Sequence, residues 1–160
     1  MQGKSEGFVR EIVLSDAAAT RTFGARIATG LRAGDAILLA GDLGAGKTTL
    51  ARAVLQSLGV IESVPSPTFT LVQHYETPTL AVDHYDFYRI EDECELDQLG
   101  IDDTLANGAA LIEWPEHAGS RLPKDALRIE LEPIGHNSRR VRVSGPARWA
   151  RVFVDSGHDA

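Results

Sequence analysis

Cysteine is almost missing from this sequence: Cys94 stands alone among 160 residues. One thiol excludes an intrachain disulfide and a thiolate cluster around a structural metal. Long apolar runs are missing too. The longest, Ala36 to Ala40, has five residues, far below the roughly 20 that cross a bilayer. The opening MQGKSEGFVR lacks the apolar core of a secretory signal, so a cytoplasmic protein with no membrane partner is expected. Positive charge is in short supply, and the net charge of −7 argues against a protein that coats DNA through bulk electrostatics. Asparagine occurs only at Asn107 and Asn137, neither followed by lysine, so the N-K-x-D that reads guanine in GTPases is absent.

What is present suits a single domain over residues 1–160, with 43% hydrophobic residues to build its core. Charge is unevenly spread. Nine acidic residues and one basic residue, Arg89, lie between Asp83 and Asp103, whereas eight of the sixteen Lys and Arg residues lie between Arg121 and Arg151. Each run reads either as a solvated face or as a docking surface for a partner of opposite pattern.

Periodicity predicts alternating strands and helices. Phe8 to Leu14 reads as a strand, and Ser15 as the N-cap of a helix through Phe23, Ile27 and Leu31. Ala36 to Ala40 reads as a strand buried on both faces, followed by a helix from Lys47 to about Leu58 that Gly59 ends. Strands follow at Phe69 to Tyr75 and Leu80 to Tyr88, then an acidic helix over Asp92 to Leu99 and a strand at Ala109 to Ile112. Leu127 to Leu131 and Val141 to Val143 flank a polar turn, as in an antiparallel hairpin. This order predicts an α/β sandwich, mostly parallel at its centre with antiparallel strands at an edge.

The strongest signal is Gly41-Asp42-Leu43-Gly44-Ala45-Gly46-Lys47-Thr48, which fits G-x-x-x-x-G-K-[ST] in full. Glycines let successive N–H groups turn inward as a nest for anionic oxygens, and the following helix points its positive end at the same place. In such a loop the lysine reaches the β and γ phosphates and the Thr48 hydroxyl ligates Mg²⁺. A chance match is expected in roughly one chain of this length in a few hundred, and the buried strand before the motif and amphipathic helix after it lower that figure. The Lys47 tip is expected to be solvated when no nucleotide is bound.

A phosphate loop of this kind needs an acid at the end of a neighbouring strand to hold the metal or its water. Asp83, Asp86 and Glu113 are candidates. Asp83 and Asp86 point to opposite faces of an extended strand, so they do not serve one site, but spacing does not rank them. Glu113 has the cleanest pattern of apolar strand followed by acid. Ser66 and Thr68, stiffened by Pro65 and Pro67, form either a rigid turn or a segment that senses the γ-phosphate.

Taken in order, GDLGAGKTTLAR, SPTFTLVQHY, HYDFYR, ELDQLGIDD and LIEWPEH resemble the TsaE (YjeE) family over about Ser15 to Arg140, leaving residues 146–160 as an unassigned tail. The resemblance implies a P-loop NTPase three-layer sandwich, binding of ATP with Mg²⁺, and weak intrinsic ATPase activity. It also implies action with the TsaD and TsaB proteins in forming the threonylcarbamoyl group on adenosine of tRNA, with tRNA met through that complex. By motif, Lys47 and Thr48 keep their phosphate and metal roles, Thr49 supports the α-phosphate, and Ser66 and Thr68 fall beside the γ-phosphate. Asp86 becomes the metal-side acid and Glu113 the Mg²⁺ ligand or water-orienting acid. Ala17 and Arg139 would flank the adenine.

Two rival classes fit the phosphate loop: a small-molecule kinase and a module that senses ATP without hydrolysing it. The kinase would want an arginine-rich lid, and Asp83 to Asp103 is acidic. The sequence offers no clear arginine finger. Arg52 lies one turn down the P-loop helix and Arg89 lies beyond Asp86.

Overall fold

A computed structural model describes residues 7–42, 44–65, 67 and 71–153. Its strands are β1 (Gly7–Leu14), β2 (Ala36–Ala40), β3 (Val72–Glu76), β4 (Ala81–Asp86), β5 (Gly108–Glu113), β6 (Leu127–Pro133) and β7 (Arg139–Pro146). They form one mixed sheet in the order β1-β7-β6-β2-β5-β4-β3. Strands β6, β2, β5 and β4 run parallel, while β7 and then β1 at one edge and β3 at the other are each joined by antiparallel pairing. Every residue of β2 and β5 is buried, as expected of parallel strands covered on both faces. β1 alternates exposed and half-buried residues, as an edge strand with one wet face does.

The α-helices are α1 (Ala17–Gly30), α2 (Lys47–Ser57) and α3 (Ile101–Asn107). Asp16, not Ser15, caps α1: its carboxylate accepts from the Ala19 N–H at 2.9 Å, and its charge adds a favourable interaction with the helix dipole. Alternation sorts the sheet residues between two apolar clusters. Ile37, Leu39, Leu111 and Ile129 pack with Phe23 and Ile27 of α1 and Leu50 and Val54 of α2. Leu38, Tyr85, Ala110 and Ile112 pack with Leu96 and Ile101. The helices α1 and α2 meet at Gly24, where a Cβ would stand 2.6 Å from the Ala53 Cβ, so only hydrogen fits.

Three segments differ from the sequence reading. The acidic segment forms a 3₁₀ turn over Glu93–Gln98, with Asp92 capping the Cys94 N–H. Gly100 (φ 70°) then reverses the chain into α3, which periodicity did not reveal. Ile101 and Leu105 are its only large apolar side chains, too few for a helical pattern to register. Beyond Pro146, residues Ala147–Arg151 make another 3₁₀ turn that returns the chain to the core. There the Phe153 ring lies 6.2 Å from Trp149, 6.0 Å from Phe8 and 5.4 Å from Phe23, and Arg10 Nη1 donates to the Phe153 carbonyl at 2.7 Å. The unassigned tail thus closes one end of the α1 side of the core. Phe69 and Thr70, expected to begin β3, lie outside the described residues. No helix among the described residues is long and apolar enough to cross a membrane.

Trp149 is 1% exposed and touches the place where a Gly30 Cβ would sit. Trp149→Ala should therefore destabilise the fold by about 3–5 kcal/mol in urea unfolding. Val9→Thr, on the wet face of β1 at 58% exposure, should move stability by under about 0.5 kcal/mol.

Candidate functional site

Strand β2 ends at Ala40, and the glycine-rich loop crosses to α2 through left-handed turns at Gly44 (φ 81°) and Gly46 (φ 106°). Gly46 is the N-cap of α2, and no side chain caps the helix, so first-turn N–H groups remain for an anion. A Cβ at Gly44 would meet nothing within 4 Å; the loop faces open space there. Leu43, Ser66 and Thr68, expected around the phosphates, lie outside the described residues.

Lys47 is not solvated as the sequence reading expected. It is 5% exposed, because its stem runs back under the loop. Its Nζ donates to the carbonyls of Gly41 and Asp42, the latter at 2.9 Å, and lies 4.1 Å from the centre of the Trp114 ring. Burial lowers its pKa, while the carboxylates of Glu113, Glu116, Asp86 and Asp42 oppose that shift.

The acids come from two adjacent strands. Parallel pairing sets Asp86 of β4 beside Glu113 of β5, both at strand ends and both buried. Glu113 accepts from the Thr48 hydroxyl, at 2.8 Å to Oε2 and 3.0 Å to Oε1, and its Oε2 lies 2.7 Å from His84 Nε2. Asp86 Oδ1 accepts from the Tyr88 N–H at 3.0 Å. Asp83 is elsewhere. It accepts from the Thr104 hydroxyl and from His74 Nδ1, and the hydrogen bonds that His74 donates to Glu76, then to Asp83, raise its pKa. Strand alternation makes this ranking: Asp83 faces α3, whereas His84 and Asp86 share the α2 face.

A cavity of about 360 Å³ opens between these groups, lined by Gly44, Gly46, Lys47, Thr48, Thr49, Asp86, Tyr88, Glu113, Trp114 and Arg139. Arg139 arrives from β7, where it pairs with Leu14. Its Nε donates to the Ala45 carbonyl at 2.8 Å, and a Cβ at Gly46 would collide with its guanidinium. Ala17, at the start of α1, is exposed and is not part of the lining. Arg52 donates to the Val64 carbonyl at 3.1 Å, away from the loop.

Three side chains here were not singled out from the sequence: His84, Tyr88 and Trp114. Each lay inside a quoted motif, HYDFYR or LIEWPEH, so the signal was in hand without a role attached. Trp114 has φ 59°, a conformation rare for a large side chain. Its ring lies 5.0 Å from Tyr88 and 5.6 Å from His117, and His117 Nδ1 donates to the Phe87 carbonyl at 2.7 Å.

The donors present suit one kind of cation. Among the described residues, no group of three or more His, Cys, Asp or Glu side chains could enclose a metal. One hydroxyl and one or two carboxylates instead fit a hard cation such as Mg²⁺, which keeps most of its shell as water and phosphate oxygen. The uncapped helix end and the buried ammonium beside it fit the anionic partner.

The family model for threonylcarbamoyl adenosine biosynthesis protein TsaE matches residues 14–141. The tRNA threonylcarbamoyladenosine biosynthesis protein TsaE of Bacillus subtilis is 37% identical over 129 residues, 79% of this chain and 80% of the relative. The protein of the same name from Streptomyces coelicolor is 38% identical over 144 residues, 84% and 96% of the two chains. The crystal structure of Bacillus subtilis YdiB matches this fold with a TM-score of 0.74, over 94% of each chain at 25% identity. The chain belongs to the TsaE family, whose relatives are named for the biosynthesis of threonylcarbamoyladenosine in tRNA.

Proposed function

We propose that this chain is a cytoplasmic P-loop ATPase of three-layer architecture that binds ATP with Mg²⁺, hydrolyses it slowly, and acts with TsaD and TsaB in forming threonylcarbamoyladenosine in tRNA. The observation that carries the reading is the Thr48 hydroxyl on the Glu113 carboxylate, beside Lys47 and at the uncapped start of α2. Mg²⁺, bound with ATP, neutralises charge on the β and γ oxygens and orders the water around them.

The chain's own part is chiefly positional. The N–H groups of Gly44 to Thr49 would cradle the phosphates, and Lys47 would exchange the Gly41 and Asp42 carbonyls for phosphate oxygens. Thr48 would hold the cation through its hydroxyl oxygen, leaving the Glu113 carboxylate free to accept from water. Asp86 completes the acidic side, and the rings of Trp114 and Tyr88 keep bulk water from one wall. Fixed donors aimed at developing charge supply most of the acceleration in phosphoryl transfer.

Three outcomes test the reading. Lys47→Ala should abolish triphosphate binding or hydrolysis. Its fold should survive, at a cost of about 1 kcal/mol, because removing a side chain that lines the cavity opens a path for water to the Gly41 and Asp42 carbonyls. Nucleotide binding and phosphate release at wild-type levels would exclude the P-loop role.

Among the acids, Asp86→Ala and Glu113→Ala should cost Mg²⁺-dependent hydrolysis far more than Asp83→Ala. The last should act instead on stability, through His74 and Thr104. Steady-state phosphate release and thermal unfolding, measured on all three variants, separate the two effects.

The isolated chain should turn over slowly and be accelerated by TsaD–TsaB. Arg52 is held away from the loop, and Arg139, which lines the cavity, commits its Nε to the Ala45 carbonyl. An arginine supplied in trans is worth about 10³ to 10⁵ in rate elsewhere. If the acidic stretch Glu91 to Asp103 or the basic hairpin carries the contact, raising salt should weaken the complex. Phosphate release with and without the partner, at two salt concentrations, decides; fast turnover unchanged by partner would show a site complete in cis.

A further inference from the structure

Of the buried side chains Lys47, His84, Asp86 and Glu113, only His84 has no part in the chemistry proposed above. It is fully buried on β4. The pairing of β4 with β5 sets it beside Leu111, so its ring and the Glu113 side chain are diagonal neighbours on one face of the sheet. Nε2 lies 2.7 Å from Glu113 Oε2. That oxygen also takes the shorter branch of the Thr48 hydrogen bond, at 2.8 Å, whereas Oε1 takes only the 3.0 Å branch. His84 Nδ1 has no partner among the described residues.

An imidazole kept for packing alone would strand both nitrogens, and an apolar residue of similar volume would strand none. The one satisfied nitrogen therefore carries the reason for a histidine. A carboxylate oxygen accepts, so the hydrogen between the two groups sits on Nε2, which fixes the tautomer. On the proposed function Thr48 would leave Glu113 when its hydroxyl oxygen held the cation, and Nε2–H would be the donor that stays.

We propose that His84 is a positioning residue whose Nε2–H holds Oε2 of Glu113 and so presents Oε1, with lone pairs to spare, to the cation and water at the end of the phosphate loop. This rests on the function proposed above for Glu113. Partners that orient ligating carboxylates and imidazoles in this way are typically worth about 10- to 100-fold in metal affinity or activity.

His84→Gln keeps an amide N–H near the place of Nε2, and His84→Leu keeps volume without a donor. In nucleotide-free wild-type protein, ¹⁵N NMR of the imidazole should show the Nε2–H tautomer for His84. His84→Leu should fold and bind ATP without Mg²⁺ as the wild type does, yet need about 10- to 100-fold more Mg²⁺ for half-maximal turnover or lose kcat by that factor. His84→Gln should recover most of the loss. A wild-type Nδ1–H tautomer, wild-type Mg²⁺ dependence in His84→Leu, or equal impairment of the Leu and Gln variants would each overturn the proposal. Should His84→Leu fail to fold, the wild-type tautomer and the Mg²⁺ requirement of His84→Gln decide. Because the tautomer is read without nucleotide, a wild-type chain that hydrolyses no ATP would sink the proposed function separately from the His84–Glu113 bond.

Discussion

The hydrogen bond from the Thr48 hydroxyl to the Glu113 carboxylate joins the first turn of α2 to the end of β5, and the rest of the site is arranged around it. It exists only in one strand register. Leu39 of β2 pairs with Glu113, and a slip of one residue would turn the carboxylate to the opposite face of the sheet. The next residue secures the exit, since the Trp114 N–H donates to the Leu39 carbonyl at 3.3 Å. With φ 59°, Trp114 bends the chain sharply out of the strand and brings its ring over Lys47. A left-handed conformation at such a residue costs on the order of 1–3 kcal/mol and persists where surrounding contacts impose it. Here those contacts are Tyr88, His117 and the Lys47 ammonium.

The site is also where the core stops being apolar. Apart from Thr20, the buried polar and charged side chains among the described residues are Lys47, His84, Asp86 and Glu113, and they gather at the carboxyl ends of β2, β4 and β5. In open α/β sheets that edge is where ligands bind, and the reason is visible in the pairing. Strand ends leave the ladder and free side chains to converge, while strand middles are locked into the two apolar clusters. Removing one partner leaves a buried polar group unsatisfied, at about 1–3 kcal/mol where water cannot replace it, so the same contacts that prepare the site also tie its integrity to the fold.

Much of this was legible in the sequence, and the failures share a cause. The all-apolar runs of β2 and β5, the glycine-rich loop and the late hairpin follow from period and turn chemistry, which are local. Asp83 and Asp86 could be assigned to opposite faces by counting, but which face held α2 required the pairing with β5. The capping of α1 by Asp16 turned on a choice between neighbours with similar propensity. Trp149 and Phe153 lay in the unassigned tail, because the ring partners Phe8 and Phe23 of Phe153 lie more than a hundred residues away. The burial of Lys47 depended on carbonyls of its own loop, which no side-chain pattern records. His84, Tyr88 and Trp114 sat in quoted motifs, yet their contacts are set by strand ends that only the sheet brings together.

Lys47 and Glu113 already hold internal substitutes for what a ligand would supply. The carbonyl oxygens of Gly41 and Asp42 take the Lys47 ammonium, and the Thr48 proton occupies the Glu113 carboxylate. A buried ammonium or carboxylate left bare would be far more costly than one so paired, and these substitutes keep the empty site folded. They also set a limit on affinity. On the proposed function, binding would exchange one set of hydrogen bonds for another, so the gain would come from the difference between a carbonyl dipole and a phosphate charge at Lys47, and between a hydroxyl proton and a cation with its water at Glu113. Charged partners make the stronger bonds of each pair. The exchange therefore favours an anion and a cation arriving together: the anion alone would draw Lys47 from its carbonyls while Thr48 and Glu113 stayed closed on one another, and the cation alone would open that pair with no phosphate oxygens to complete its shell.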